Sequence, residues 1–155
     1  MTAIRGLSRR QIAASVLIAA CAPALSVAAA PSVLMEVWKD PACGCCKEWV
    51  THLEGAGFKV KVSDTGNDAV RTRLGIDPKH GSCHTALVGG YAIEGHVPVR
   101  EIRRLLAERP KVIGLAVPGM VKGSPGMEQG GIVEPYNVLL LHRDGGSSVY
   151  AKYRS

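Results

Sequence analysis

Apolar and polar positions follow two rhythms along this chain, and they predict a short series of elements. Residues 33–38 (Val-Leu-Met-Glu-Val-Trp) are a mainly apolar run of strand length, which predicts a buried central strand. Lys39-Asp40-Pro41-Ala42 reads as a turn. Cys46, Trp49, Val50 and Leu53 then recur at i, i+3, i+4 and i+7. That spacing predicts a helix over 43–56 with one apolar face, ended by Gly55 and Gly57. Residues 58–62 (Phe-Lys-Val-Lys-Val) alternate strictly, as a half-buried strand does. Residues 67–74 predict a short helix with Asn67 as its cap, and 75–81 a loop.

Residues 85–88 and 91–93 flank Gly89-Gly90 and predict a hairpin with a two-residue turn. Residues 98–108 predict a helix. Pro98 suits its first turn, Val99, Ile102, Leu105 and Leu106 form its buried stripe, and Pro110 stops it. Residues 115–134, rich in Gly, Pro and Met, predict an irregular loop wrapping the body. A last hairpin is predicted from 137–141 and 148–153 around Asp144-Gly145-Gly146. No internal repeat appears.

Residues 1–30 read as an export signal. Arg5, Arg9 and Arg10 form a basic start, residues 12–20 an apolar stretch, and small residues crowd 26–30. Ser8-Arg9-Arg10-Gln11-Ile12 also matches a twin-arginine signal. Ile18-Ala19-Ala20-Cys21 has the form of a bacterial lipoprotein box, while Ala28 and Ala29 offer an ordinary cleavage site. The first processing leaves a membrane-anchored lipoprotein through Cys21, the second a soluble periplasmic product.

The chain has 155 residues, 46% hydrophobic and 21% charged, which suits one globular domain over 31–155 and excludes a multidomain enzyme or wholesale disorder. The formal net charge is +6. Residues 1–30 hold three of the 19 basic residues and no acid, so 16 basic against 13 acidic residues remain beyond them. That balance is too mild to argue for a nucleic-acid partner. No nucleotide-binding loop, paired acid/base carboxylates or Ser-His-Asp order is present.

Beyond residue 30 lie Cys43, Cys45, Cys46 and Cys83. Three of them fall within four positions, and neighbours such as Cys45 and Cys46 do not bridge without severe strain. The cluster therefore reads as chemistry rather than as a disulfide scaffold. Two chemistries fit. In one, Cys43 and Cys46 are a Cys-x-x-Cys redox pair, joined as a disulfide in an oxidising compartment. In the other, thiolates favoured by a helix N-terminus bind a soft metal. A structural zinc site brings two separated knuckles, and iron–sulfur ligation spreads its cysteines more widely. Cu(I) suits the crowded patch, with more than one ion bridged by shared sulfurs; zinc is the alternative. His84 stands beside Cys83 as a further ligand. Met120, Met127 and His80 are secondary candidates, against the ordinary readings of gap-filling methionines and a solvated loop histidine. His52, His96 and His142 are isolated and read as structural or surface residues.

The predicted order β-α-β-α-β-β-α, with Cys-x-x-Cys opening the first helix, resembles the thioredoxin fold. Cys83 and His84 stand where thioredoxins place a proline facing that pair. The runs Asp-Pro-Ala-Cys-Gly-Cys-Cys-Lys-Glu-Trp (40–49), Gly-Ser-Cys-His-Thr-Ala-Leu-Val-Gly-Gly-Tyr-Ala-Ile-Glu-Gly-His-Val-Pro (81–98) and Gly-Leu-Ala-Val-Pro-Gly-Met-Val-Lys-Gly-Ser-Pro-Gly-Met-Glu (114–128) together resemble the CopG-like family, a periplasmic copper-resistance group. The resemblance spans about residues 33–153. It implies a thioredoxin-like α/β core with a C-terminal Gly/Pro/Met loop and hairpin. It also implies a cysteine-bridged copper site at Cys43, Cys45, Cys46 and Cys83 with His84 adjacent, and a role in copper tolerance alongside other periplasmic copper-handling proteins. A metal-binding protein is expected ahead of an enzyme, with a thiol–disulfide oxidoreductase using Cys43 and Cys46 as the alternative.

Overall fold

A computed structural model describes residues 33–154. The signal expected over 1–30, Cys21 included, lies outside the described residues. One seven-stranded mixed sheet organises the protein. Its strands are β1 (Leu34–Lys39), β2 (Lys59–Ser63), β3 (His84–Val88), β4 (Tyr91–Glu94), β5 (Gly114–Ala116), β6 (Tyr136–Leu141) and β7 (Ser147–Tyr153), in the order β2-β1-β3-β4-β5-β6-β7. β1 pairs parallel to β2 and antiparallel to β3; β3 pairs antiparallel to β4, and β4 parallel to β5. The helices are α1 (Gly44–Gly55), α2 (Asp68–Arg73) and α3 (Val99–Glu108).

Side chains alternate across a strand, so neighbouring residues of the sheet enter different clusters. Met35, Val37, Ala86, Ile93 and Leu115 join Trp49 and Leu53 of α1 and Ile102 and Leu105 of α3 in the main core. Ala92, Ala116 and Leu141 point the other way and pack with Ile76, just beyond α2. The apolar phase read from Cys46, Trp49, Val50 and Leu53 is the face that α1 buries.

Three details differ from expectation. Residues 114–116 are a strand, not the start of the long loop, because β4 and β6 flank them and take up their backbone hydrogen bonds. Three residues are too few for a periodic signal. Asn67 makes no side-chain cap. Its Nδ2 donates instead to the Ser82 carbonyl at 3.2 Å and to Thr85 Oγ1 at 3.1 Å. β2 is an edge strand and more exposed than its alternation suggests.

Candidate metal centre

Strand register brings the two cysteine-bearing segments together. Lys39 at the end of β1 pairs with His84 at the start of β3. The turn leaving β1 and the residue entering β3 are therefore side by side. The turn is closed by Asp40: its carbonyl accepts from Cys43 N at 3.1 Å and its Oδ1 from Ala42 N at 2.8 Å. Cys43 then takes the N-cap position of α1, and Cys45 and Cys46 lie in the first turn.

Cys43 and Cys46 are joined by a disulfide, whereas Cys45 and Cys83 are free thiols. Cys45 Sγ lies 3.5 Å from Cys43 Sγ and 4.0 Å from Cys83 Sγ. Cys46 Sγ lies 3.6 Å from the Cys83 carbonyl oxygen. All four sulfurs fall within 4.8 Å of one another. Cys83 belongs to a second group of the same tightness, with His84 and His96.

His96 is the residue that sequence reasoning missed. Its Nε2 is 3.1 Å from Cys83 Sγ and its Nδ1 2.8 Å from the Pro125 carbonyl. A carbonyl only accepts, so Nδ1 carries the proton and the Nε2 lone pair faces the sulfur. This is the arrangement that prepares an imidazole for a metal, with the far nitrogen anchored on a backbone oxygen. The signal was present in the hairpin itself. With Thr85 opposite Glu94, two further steps along each strand set Cys83 opposite His96.

His84 places Nδ1 3.4 Å from Cys83 Sγ. It is fully buried against Trp49, with ring centroids 4.3 Å apart, and its Nε2 has no hydrogen-bond partner. Burial, reinforced by neighbouring His96, drives its pKa down to about 3. Burial also lowers His96. Both rings are therefore neutral and able to donate a lone pair at neutral pH. Burial, with Cys45 nearby, pushes the Cys83 thiol up to about 12. The thiolate character expected at the helix N-terminus thus does not extend to Cys83, which lies off the helix.

The Gly/Pro/Met segment closes over this corner. Gly119 N donates to the Gly81 carbonyl at 3.0 Å, and Ser82 Oγ donates to the Gly119 carbonyl. Gly126 adopts φ +84°, and a Cβ there would come within 2.7 Å of Cys45 O and Trp49 N. Met120 is 60% exposed and Met127 half-buried. His80 is not part of either donor group. It is buried elsewhere and its Nε2 meets Ser147 Oγ at 3.1 Å, because the 3-10 turn at Pro78–His80 directs it toward β7. The donor set is soft sulfur plus neutral imidazole, which matches Cu(I) or zinc and mismatches hard, oxygen-seeking cations.

Fold and site together define a mixed α/β protein with a cysteine- and histidine-rich centre able to bind metal. Residues 80–127 match a family model described as "Protein of unknown function, DUF411". Two solved structures are similar over most of the chain. "Copper resistance protein copG- Form 1" is 46% identical, with a TM-score of 0.75, covering 80% of this chain and 99% of that one. "Copper resistance protein copG- Form 2" is also 46% identical, with a TM-score of 0.74, covering 79% and 99%. No curated protein matches. The chain belongs to the CopG-like copper-resistance family. Its role is accordingly related to copper.

Proposed function

We propose that this is an exported protein that binds Cu(I), more than one ion per chain, on Cys43, Cys45, Cys46 and Cys83 with His84 and His96. The observation that carries the reading is the approach of Cys83 to Cys45, 4.0 Å across two segments distant in sequence. Cys83 is shared by two donor groups, and a thiolate serves two soft metal ions readily. Cu(I) is the metal proposed, because four sulfurs in one corner suit its low coordination numbers. Two of those sulfurs are tied as a disulfide, so full capacity requires reduction, which adds two electrons and frees both thiolates.

The strand order β2-β1-β3-β4, with β3 antiparallel to both neighbours, supports a thioredoxin-like core carrying a C-terminal extension. Residues 1–30 serve as the signal that delivers the chain to the periplasm. Among the described residues no helix is long and apolar enough to cross a membrane. Lipidation of Cys21 is the alternative, and it would anchor the chain to the membrane. Intact mass of the exported product distinguishes cleavage near Ala28 from lipidation.

Anaerobic loading of the reduced protein with Cu(I), followed by metal analysis, tests the binding site. Several copper ions per chain, displacing zinc, are expected. One ion or none, or tighter zinc, would overturn the reading. A thiol–disulfide oxidoreductase is the second reading, favoured by the Cys43–Cys46 bond and by Cys43 being the more exposed partner. Turnover of insulin disulfides surviving Cys45→Ser would establish it.

A further inference from the structure

Behind the sulfur cluster a buried carboxylate, Glu94, pairs with the half-buried Arg71, and neither contacts a sulfur. Glu94, the last residue of β4, is fully buried. Its Oε1 accepts from Ser82 N at 2.7 Å and from Arg71 Nε at 2.8 Å, and its Oε2 from Thr85 Oγ1 at 2.5 Å. Arg71 of α2 reaches past it and donates through a terminal nitrogen to the Ser82 carbonyl at 2.6 Å. Asn67 Nδ2 donates to that same carbonyl. The N–H and C=O of Ser82 are thus both held by side chains from β4 and the α2 region. That carbonyl belongs to the peptide bond leading into Cys83.

Burying the Glu94 carboxylate carries a desolvation cost, and an apolar residue often serves stability as well. The placement of the pair is informative. It fixes the peptide plane from which Cys83 projects, at the one residue common to the Cys43/Cys45/Cys46 group and the His84/His96 group. Without a metal nothing bridges Cys83 to the other sulfurs, and a loop entering a strand is free to rotate its peptide outward unless that peptide is held. A planar guanidinium that holds Glu94 through Nε and the Ser82 carbonyl through a terminal nitrogen resists that rotation better than a point charge.

We propose that Arg71 and Glu94 are positioning residues for Cys83, holding its sulfur where both donor groups share it. The proposal rests on Cys83 being a copper ligand. The full chain is reduced anaerobically and compared with Arg71→Lys, Arg71→Met, Glu94→Gln and the double variant Arg71→Met with Glu94→Gln. The double variant leaves no unpaired buried charge and keeps the test open if a single variant fails to fold. Two quantities are read in each: Cu(I) retention against a competing Cu(I) chelator, and the rate at which iodoacetamide alkylates Cys83 relative to Cys45, from peptide masses. With thiol number unchanged, retention is expected to fall about tenfold. The alkylation ratio should rise severalfold, and Arg71→Lys should fall between wild type and Arg71→Met. A folded double variant with wild-type retention and a wild-type ratio overturns the proposal. Cys83→Ser, run alongside, separates the two questions. If it retains copper like the wild type, the ligand reading fails while the alkylation ratio still decides whether the clamp orients Cys83.

Discussion

Cys83 and His96 meet across the open end of the β3–β4 hairpin, Sγ to Nε2 at 3.1 Å. The tight Gly89-Gly90 turn sets this pairing, since it fixes which residues of the two strands face each other. On its other side the same sulfur lies 4.0 Å from Cys45, at the start of α1. One atom therefore joins a thiol-rich helix terminus to a pair of buried imidazoles.

That shared position ranks the cysteines. Cys83→Ser is expected to lower copper per chain further than Cys45→Ser, because Cys83 belongs to both donor groups and Cys45 to one. Metal analysis after anaerobic loading makes the comparison, and equal losses would contradict it.

His96→Ala should weaken Cu(I) retention about tenfold while leaving every thiol in place. His80→Ala, which removes a histidine bonded to Ser147 away from the sulfurs, should leave retention unchanged. Chelator competition on the two variants checks both expectations together.

Oxidation state should set capacity. In the oxidised protein, alkylation mapped by peptide mass should label Cys45 and Cys83 and spare Cys43 and Cys46. Reduction should expose all four and raise copper uptake. Stripping the metal under air should return the Cys43–Cys46 bond. Equal uptake by the oxidised and reduced forms would count against a four-sulfur site.

Gly126→Ala tests how the C-terminal segment docks. A left-handed backbone costs an alanine roughly 1–2 kcal/mol. The added Cβ would also press on Cys45 O and Trp49 N, both backbone atoms that cannot step aside. A fall of several degrees in Tm is expected, with copper retention reduced because the first turn of α1 is displaced. A wild-type Tm would show that the segment repacks freely.

Much of this was legible in the chain. The apolar phase of α1, the Gly89-Gly90 hairpin and the clustering of Cys43, Cys45 and Cys46 follow from spacing, whereas Cys83 was joined to them by the resemblance to the thioredoxin fold and the CopG-like family. What escaped is what depends on partners distant in sequence. β5 is a strand because β4 and β6 accept it, not because Gly114, Leu115 and Ala116 carry a pattern. Asn67 gives up a cap to bind Ser82 and Thr85, a choice local rules do not anticipate. His96 looked isolated because its neighbours in sequence are not its neighbours in space. Counting outward from the predicted turn would have found it.

The meeting of Lys39 with His84 has a consequence for when the protein becomes competent. Slipping β3 by one residue would turn every side chain on it to the other face. Such a chain would keep Cys43, Cys45 and Cys46 together at the start of α1 yet carry Cys83 away from them. The full donor set is thus complete only with the finished sheet, and an ion that bridges Cys83 to the helix cysteines will in turn hold that sheet shut against unfolding.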